Sequence, residues 1–392
     1  MDIELGKGKT ARRVYGFDEI SLSPSIITIN PDDTDTSIQI AGRKLDIPIL
    51  ASAMDSVVSP QTAALMSQYG GLGAMNLQGL QFRFEDADTK LKEIAACKSP
   101  AEYVALAQRL YDTPLIKELI KHRIQEVKKR GGVPVVSSIP QRAAELGPIA
   151  RDAGAEIFIV QSTVISTKHK STQTELLDLP SFCKEMDIPI LVGNCVSYPV
   201  ALTLMATGVA GVLVGIGPGH ACTSRSVLGI GVPMATTIAD CVAARDHYFH
   251  ESANYVPVIA DGGMAVGGDI CKAIACGADA VMVGSPLARA EEAPGHGTHW
   301  GMATGSPLLP RGTRIRVGTL GPLKEILHGP ARFDDGSMNL VGALRTSMGN
   351  LGAATIREMQ KVEVVIAPSI LTEGKVFQKA QQLGMHGMHS RG

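Results

Sequence analysis

A chain of 392 residues, 45% hydrophobic and 19% charged, has the make-up of a globular protein with room for one large α/β barrel or two ordinary domains. A formal net charge of −1 excludes a broad electrostatic hold on nucleic acid or on an anionic membrane. No apolar run approaches the roughly 18 residues of a membrane span, Met1-Asp2-Ile3-Glu4 has no signal-peptide core, and the seven cysteines include no Cys-x-x-Cys pair and suggest no disulfide framework, so a reducing cytoplasm is expected.

In chain order, residues 15–23 lead through a polar extension to a short buried strand at 48–51, followed by the loop Ser52-Ala53-Met54-Asp55. Ser59-Pro60 then supplies an N-cap and a first helical residue, Gly70-Gly71 stops that helix, and 72–75 is the next strand. Residues 77–132 are mostly polar and helical, with capping-box spacing at Ser99-Pro100-Ala101-Glu102 and amphipathic spacing over 115–129. Beyond them a unit recurs: a helix ends in Gly, a small residue follows, and an apolar strand begins. Gly154-Ala155, Gly208-Val209-Ala210 and Gly277-Ala278 mark it.

Strands are expected at 48–51, 72–75, 133–137, 156–160, 188–192, 211–214, 256–260 and 280–283, each followed by a helical pattern. Continuous apolar strands alternating with helices predict an α/β fold with a parallel sheet, best satisfied by a (β/α)8 TIM barrel; an open doubly wound sheet is the alternative. Polar residues gather just after these strands: Ser52 and Met54, Gln161, Gly193-Asn194, Asp261-Gly262-Gly263 and Gly284-Ser285. In a barrel all of them face one mouth, and the last two loops occupy the place where many barrels hold phosphate.

The most distinctive stretch follows the sixth strand: Gly215-Ile216-Gly217-Pro218-Gly219-His220-Ala221-Cys222-Thr223-Ser224-Arg225. Its glycines let backbone approach a ligand, and a thiol on such a loop, flanked by hydroxyls and a cation, is placed for nucleophilic chemistry. His220 occupies the last glycine of a dinucleotide fingerprint, so that motif fails. After Arg289 the pattern gives way to Gly- and Pro-rich sequence; a flap is expected over about 294–321 and a loose tail, bearing His386 and His389, over about 380–392.

The loop 215–225, Asp261-Gly262-Gly263, Gly284-Ser285, Ser52-Ala53-Met54-Asp55, Gly193-Asn194, the opening 15–22 and the pair Gly301-Met302 together resemble the IMP dehydrogenase / GMP reductase family, in matching order over nearly the whole chain. The resemblance is to the branch without regulatory CBS domains, since 77–132 is too short for a pair of them, and it implies a single catalytic domain over 1–392. It further implies that the Cys222 thiolate attacks C2 of IMP, that hydride passes to NAD, and that the covalent adduct is hydrolysed to XMP. Asn194 would orient the reacting groups and Asp261 would hold the ribose. Ser52, Gly263, Gly284 and Ser285 would hold the 5′-phosphate, with Met54 against the base and Gly301, Met302 and Ala303 at the hypoxanthine edge. A monovalent cation such as K+ would sit on carbonyls of Gly217, Gly219 and Cys222, beside a nicotinamide contact at Gly215. A homotetramer or octamer is expected, with IMP as the ligand and neither nucleic acid nor membrane as a partner.

The chain departs from the family pattern at several points. His220 and His299 stand where the family has phosphate-binding Ser and Tyr, Ser224 where it has Thr, Gln161 where an Asp meets the nicotinamide ribose, and Leu213 where a basic residue is common. The flap is shortened and lacks the Arg-Tyr pair that activates water; Arg311, Arg314 and Arg316 are the cations that could replace it, Arg311 first. GMP reductase, an FMN-dependent barrel and a non-catalytic nucleotide binder remain as alternatives.

Overall fold

The structure, a computed structural model, describes residues 2–170, 177–301, 312–368, 375–381 and 383. Eight strands close into a barrel: Ile49–Ala51 (β1), Leu72–Asn76 (β2), Val135–Ser138 (β3), Ile157–Gln161 (β4), Ile190–Cys195 (β5), Gly211–Val214 (β6), Val258–Asp261 (β7) and Ala280–Val283 (β8). Each pairs in parallel with its sequence neighbours, and β8 returns to β1 through Val281↔Ile49 and Met282↔Leu50. That last pairing makes the fold a (β/α)8 barrel and removes the open-sheet alternative.

The strands read as unbroken apolar runs because both faces are covered. Ile157 and Ile159 point into the barrel with Leu50, Leu72, Val135, Leu191, Leu213, Ile259 and Met282, while Phe158 and Val160 point outward into the helix layer. Full burial of each such side chain is worth about 1.5–3 kcal/mol. Leu213 is therefore a filler of the barrel interior, fully buried. At the amino end of the strands the antiparallel pair Ile38–Ile40 and Arg43–Leu45 inserts Ile40 and Leu45 into this same cluster, closing the floor.

Helices alternate with the strands. The Ser59 hydroxyl accepts the Thr62 N–H at the head of Pro60–Gln68, as its sequence position required. Three helices lie between β2 and β3: Ala87–Ala96, Pro100–Asp112 and Lys117–Lys129. Ser99 caps the second, but Glu102 closes back on the Lys98 N–H rather than on Ser99. Leu323–His328 and Leu340–Asn350 follow β8, and the strand Val364–Ile366 pairs antiparallel with Ile20–Leu22. The tail histidines His386 and His389 lie outside the described residues. Among the described residues no helix is long and apolar enough to cross a membrane.

Candidate active site

At the carboxyl end of the strands the mouth opens into a cavity of about 430 Å³. Its wall brings together Ser52 and Met54 after β1, Gln161 at the end of β4, Asn194 in β5, residues 215–222 and Ser224 after β6, Asp261 and Gly263 after β7, and Gly284 and Ser285 after β8. His299 and Gly301 complete it from the segment beyond β8. Met302, Ala303 and Arg311 lie outside the described residues.

The cysteine loop leaves β6 through Gly215, whose φ of +132° suits glycine and where a Cβ would stand 2.6 Å from the Asp261 carbonyl oxygen. The loop then folds into a turn, with the Cys222 N–H donating to the Gly219 carbonyl at 3.0 Å. Cys222 is half-buried, and its thiol donates to the buried Ser224 hydroxyl at 3.3 Å. Burial pushes Cys183 and Cys271 up to about 11 and Cys276 up to about 12, and it also raises Cys97. Contact with Cys195, together with burial, raises Cys241. Cys222 is the cysteine that lines the cavity, so it alone combines a thiol with access to a ligand.

Arg225, read as the cation beside the thiol, is turned into the loop instead. Its guanidinium donates to the carbonyls of Ile216 and Val232, although it stays within electrostatic range of the sulfur. It fastens the loop that carries Cys222.

In the same cavity as the thiol, three polar side chains meet. The amides of Asn194 and Gln161 both donate to one oxygen of Asp261, at 2.8 and 2.9 Å, and Gln161 also donates to the Asn194 oxygen at 3.2 Å. Burial lifts the Asp261 carboxyl to about 6 against the opposing pull of those two hydrogen bonds. The Gln161 Oε1 is buried and takes no hydrogen bond. A residue expected to touch a cofactor thus does two things: it fixes Asp261 and leaves one orphaned acceptor at the cavity wall.

Two imidazoles flank the loop after β8. His220 Nδ1 lies 3.1 Å from the Ser285 hydroxyl. His299 is buried, with Nδ1 at 2.9 Å from the Ser56 hydroxyl and its ring edge against Gly284, where a Cβ would come within 3.1 Å of Cε1. Burial, helped by the charge of His220, holds His299 down to about 4. It is neutral at neutral pH, so it offers the cavity a hydrogen-bonding group and not a positive charge.

The flap arginines fare differently from expectation. Thr298–Trp300 pairs antiparallel with Arg314–Arg316, placing His299 opposite Ile315 and Trp300 opposite Arg314. Cross-strand partners share a face, so Arg314 and Arg316 take the face opposite to that of His299, which lines the cavity. Arg314 donates to the carbonyls of Ile94, Ala95 and Cys97 and lies over the Tyr103 ring. The segment does reach the cysteine loop by its backbone: Gly312 bridges Cys222, and the Thr313 N–H donates to the Ala221 carbonyl.

Among the lining residues that carried no signal in the sequence are Gln78, Arg83, Tyr111 and Ile139. Tyr111 comes from the helix Pro100–Asp112; its hydroxyl donates to the buried Asp55 carboxylate at 2.7 Å and accepts the Trp300 indole N–H at 2.9 Å.

A barrel whose strand-end loops surround a thiol, a buried carboxylate and short glycine turns in one cavity has the layout of a barrel enzyme's active site. Residues 14–306 match the IMP dehydrogenase / GMP reductase domain, and the chain belongs to that family of oxidoreductases. It is 40% identical over 372 residues, 93% of this chain and 99% of the relative, to an uncharacterised oxidoreductase of Mycobacterium tuberculosis (strain H37Rv). It is 28% identical to the inosine-5′-monophosphate dehydrogenase of Cryptosporidium parvum, across 95% of both chains. The crystal structure of an IMP dehydrogenase/GMP reductase-like protein from Corynebacterium glutamicum superposes with a TM-score of 0.88 at 37% identity, covering 93% of this chain and 97% of that one.

Proposed function

We propose that this protein is a nicotinamide-dependent oxidoreductase of purine 5′-mononucleotides, acting through a covalent bond between Cys222 and purine C2. The observation that carries the reading is the meeting of an accessible thiol with the Asn194–Gln161–Asp261 cluster and the β7 and β8 glycine turns in one cavity. Asp261 would take the ribose hydroxyls on its carboxylate, and Ser52, Gly263, Gly284, Ser285, His220 and His299 would surround the 5′-phosphate. The nicotinamide, when bound, accepts or delivers a hydride at C2. The orphaned Gln161 Oε1 fits it, offering an acceptor to a carboxamide N–H or a ribose hydroxyl. A monovalent cation would find carbonyls at Gly217, Gly219 and Cys222, with Gly219 already giving one lone pair to the Cys222 N–H.

Two net reactions share this adduct. In the first, IMP + NAD⁺ + H₂O → XMP + NADH + H⁺: Cys222 adds to C2, hydride leaves C2, and water then displaces the sulfur. The resemblance in sequence puts this reaction first. In the second, GMP + NADPH + H⁺ → IMP + NH₃ + NADP⁺: Cys222 displaces ammonia from C2, and the arriving hydride displaces the sulfur. The first reaction needs an activated water; Arg314 and Arg316, two of the three cations considered for that task, face away from the cavity, and Arg311, ranked first, lies outside the described residues. The second needs no such water.

The deciding experiment pairs IMP and GMP with each oxidised and reduced cofactor, follows absorbance of the reduced nicotinamide, and weighs the intact protein for an adduct. NADH appearing with IMP selects dehydrogenation; NADPH consumed with GMP selects reduction. No turnover in any pairing, and no mass added at Cys222, would overturn the covalent reading.

A further inference from the structure

The cavity has two sides, and the chemistry above uses one of them. Cys222, Asp261, Gly263, Gly284, Ser285 and Ser52 lie on the arc from β6 through β8 to β1. A mononucleotide bonded to Cys222 occupies that arc. The reaction partner must then approach from the remaining arc, β2 to β4, walled by Gln78, Arg83, Tyr111, Ile139 and Thr163.

Arg83 is the one Arg or Lys among the described residues that line this cavity. Its guanidinium is half-buried and anchored at two points: Nε donates to the Gln78 carbonyl at 3.0 Å, and Nη1 donates to the Thr113 carbonyl. Its second amino group, Nη2, makes no hydrogen bond among the described residues. Asp55 and Asp112 act on it through charge alone, and Asp55 already has partners in Leu80 and Tyr111. A partly desolvated guanidinium, held rigid by backbone with donor capacity to spare, is a prepared anion site. The dinucleotide's phosphates are the anions that the second ligand would bring to this arc.

We propose that Arg83, supplied by the helical excursion after β2, recognises a phosphate of the nicotinamide dinucleotide. The inference rests on the reading under Proposed function, and it extends the cofactor contacts to a part of the chain that the family resemblance did not assign. Two phosphates fit this chemistry: the diphosphate bridge, common to both dinucleotides, and the 2′-phosphate, present in one of them.

The test is titration calorimetry on Cys222→Ala protein presaturated with IMP, using NAD, NADP and nicotinamide riboside as probes. Adding Arg83→Gln should weaken dinucleotide binding by about ten- to a hundredfold and leave nicotinamide riboside, which carries no phosphate, within about twofold. Equal loss for NAD and NADP assigns Arg83 to the diphosphate; loss for NADP alone assigns it to the 2′-phosphate. Arg83→Lys, which keeps the charge without the fork, should recover part of the loss. If Arg83→Gln binds both dinucleotides as the parent does, or loses IMP and nicotinamide riboside equally along with its melting temperature, the residue is a structural brace and the proposal fails. If the parent itself binds no dinucleotide, the functional reading has failed instead.

Discussion

On the β6 to β8 side of the mouth, Cys222, Asp261, Gly263, Gly284 and Ser285 come from strand ends or from the loops that directly follow them, and His299 joins them from the segment beyond β8. Across the mouth, Arg83 and Tyr111 come from a three-helix excursion that runs between β2 and β3. The first side is rigid for local reasons. Gly215 and Gly263 hold φ values of +132° and +79°, and the latter is packed against Pro218, so strand and turn together fix where the sulfur and carboxylate stand. The second side is rigid for tertiary reasons: Trp300, Leu80, Leu91, Ile94, Tyr103 and Leu110 form a separate apolar cluster that pins the helices. Chemistry conserved in its geometry suits the first kind of construction. Ligand preference, which changes by exchanging whole segments, suits the second.

The largest effect should come from the first side. Cys222→Ala removes the nucleophile and should lower turnover by on the order of 10⁴-fold or more while nucleotide affinity, measured by calorimetry, changes little. Loss of binding in step with loss of turnover would mean that the sulfur packs against the ligand without bonding to it.

Legibility in the sequence follows the same division. The eight strands could be read because they are buried on both faces and end in Gly or polar residues, and the observed bounds differ from expectation by at most a few residues. The Cys222 loop was readable because its glycines and Pro218 are tied to a turn that only they permit. Arg83 and Tyr111 were not. A helical pattern tells which face of Pro100–Asp112 is apolar, and nothing in it says that this face meets Trp300 and brings Tyr111 to a distant cavity. Arg314 and Arg316 misled for a related reason: their orientation is set by pairing with Thr298–Trp300, a partner strand that their own sequence does not name. The neutral state of His299 is likewise a product of burial, which sequence does not show.

A smaller effect should separate the ribose contact from the phosphate contact. Because burial lifts Asp261 to about 6, its carboxylate accepts hydroxyls fully only above that pH. Nucleotide affinity should therefore fall by up to about tenfold per unit as the pH drops below 6. The nucleotide's own second phosphate ionisation also lies near pH 6, and in the proposed pose that phosphate would sit beside His220 and His299, which line the cavity. Titrating the corresponding nucleoside removes the phosphate's share, and Asp261→Asn should flatten what remains. A nucleoside profile unchanged by Asp261→Asn would assign the pH dependence elsewhere.

The smallest expected effect lies on the helical side, in Tyr111→Phe. The substitution leaves the Trp300 indole N–H without its acceptor and takes one donor from the buried Asp55 carboxylate, which then keeps only the Leu80 N–H at 2.9 Å. Each unmet buried group costs about 1–3 kcal/mol, so the melting temperature should fall while adduct formation at Cys222 persists. The loss should also depend on pH. Burial raises Asp55 above the ordinary carboxylate value, and the Tyr111 hydrogen bond opposes that rise by favouring the ionised form. A group raised in this way contributes stability that is present below its unfolded pKa and lost as the pH climbs through its folded one. Removing Tyr111 raises the folded value further, so the variant should be most destabilised near neutrality and closest to the parent in acid. Melting curves at pH 7 and pH 5 read this directly. An equal deficit at both would mean that Asp55 is already protonated at pH 7, with the helical side held by packing around Trp300 alone.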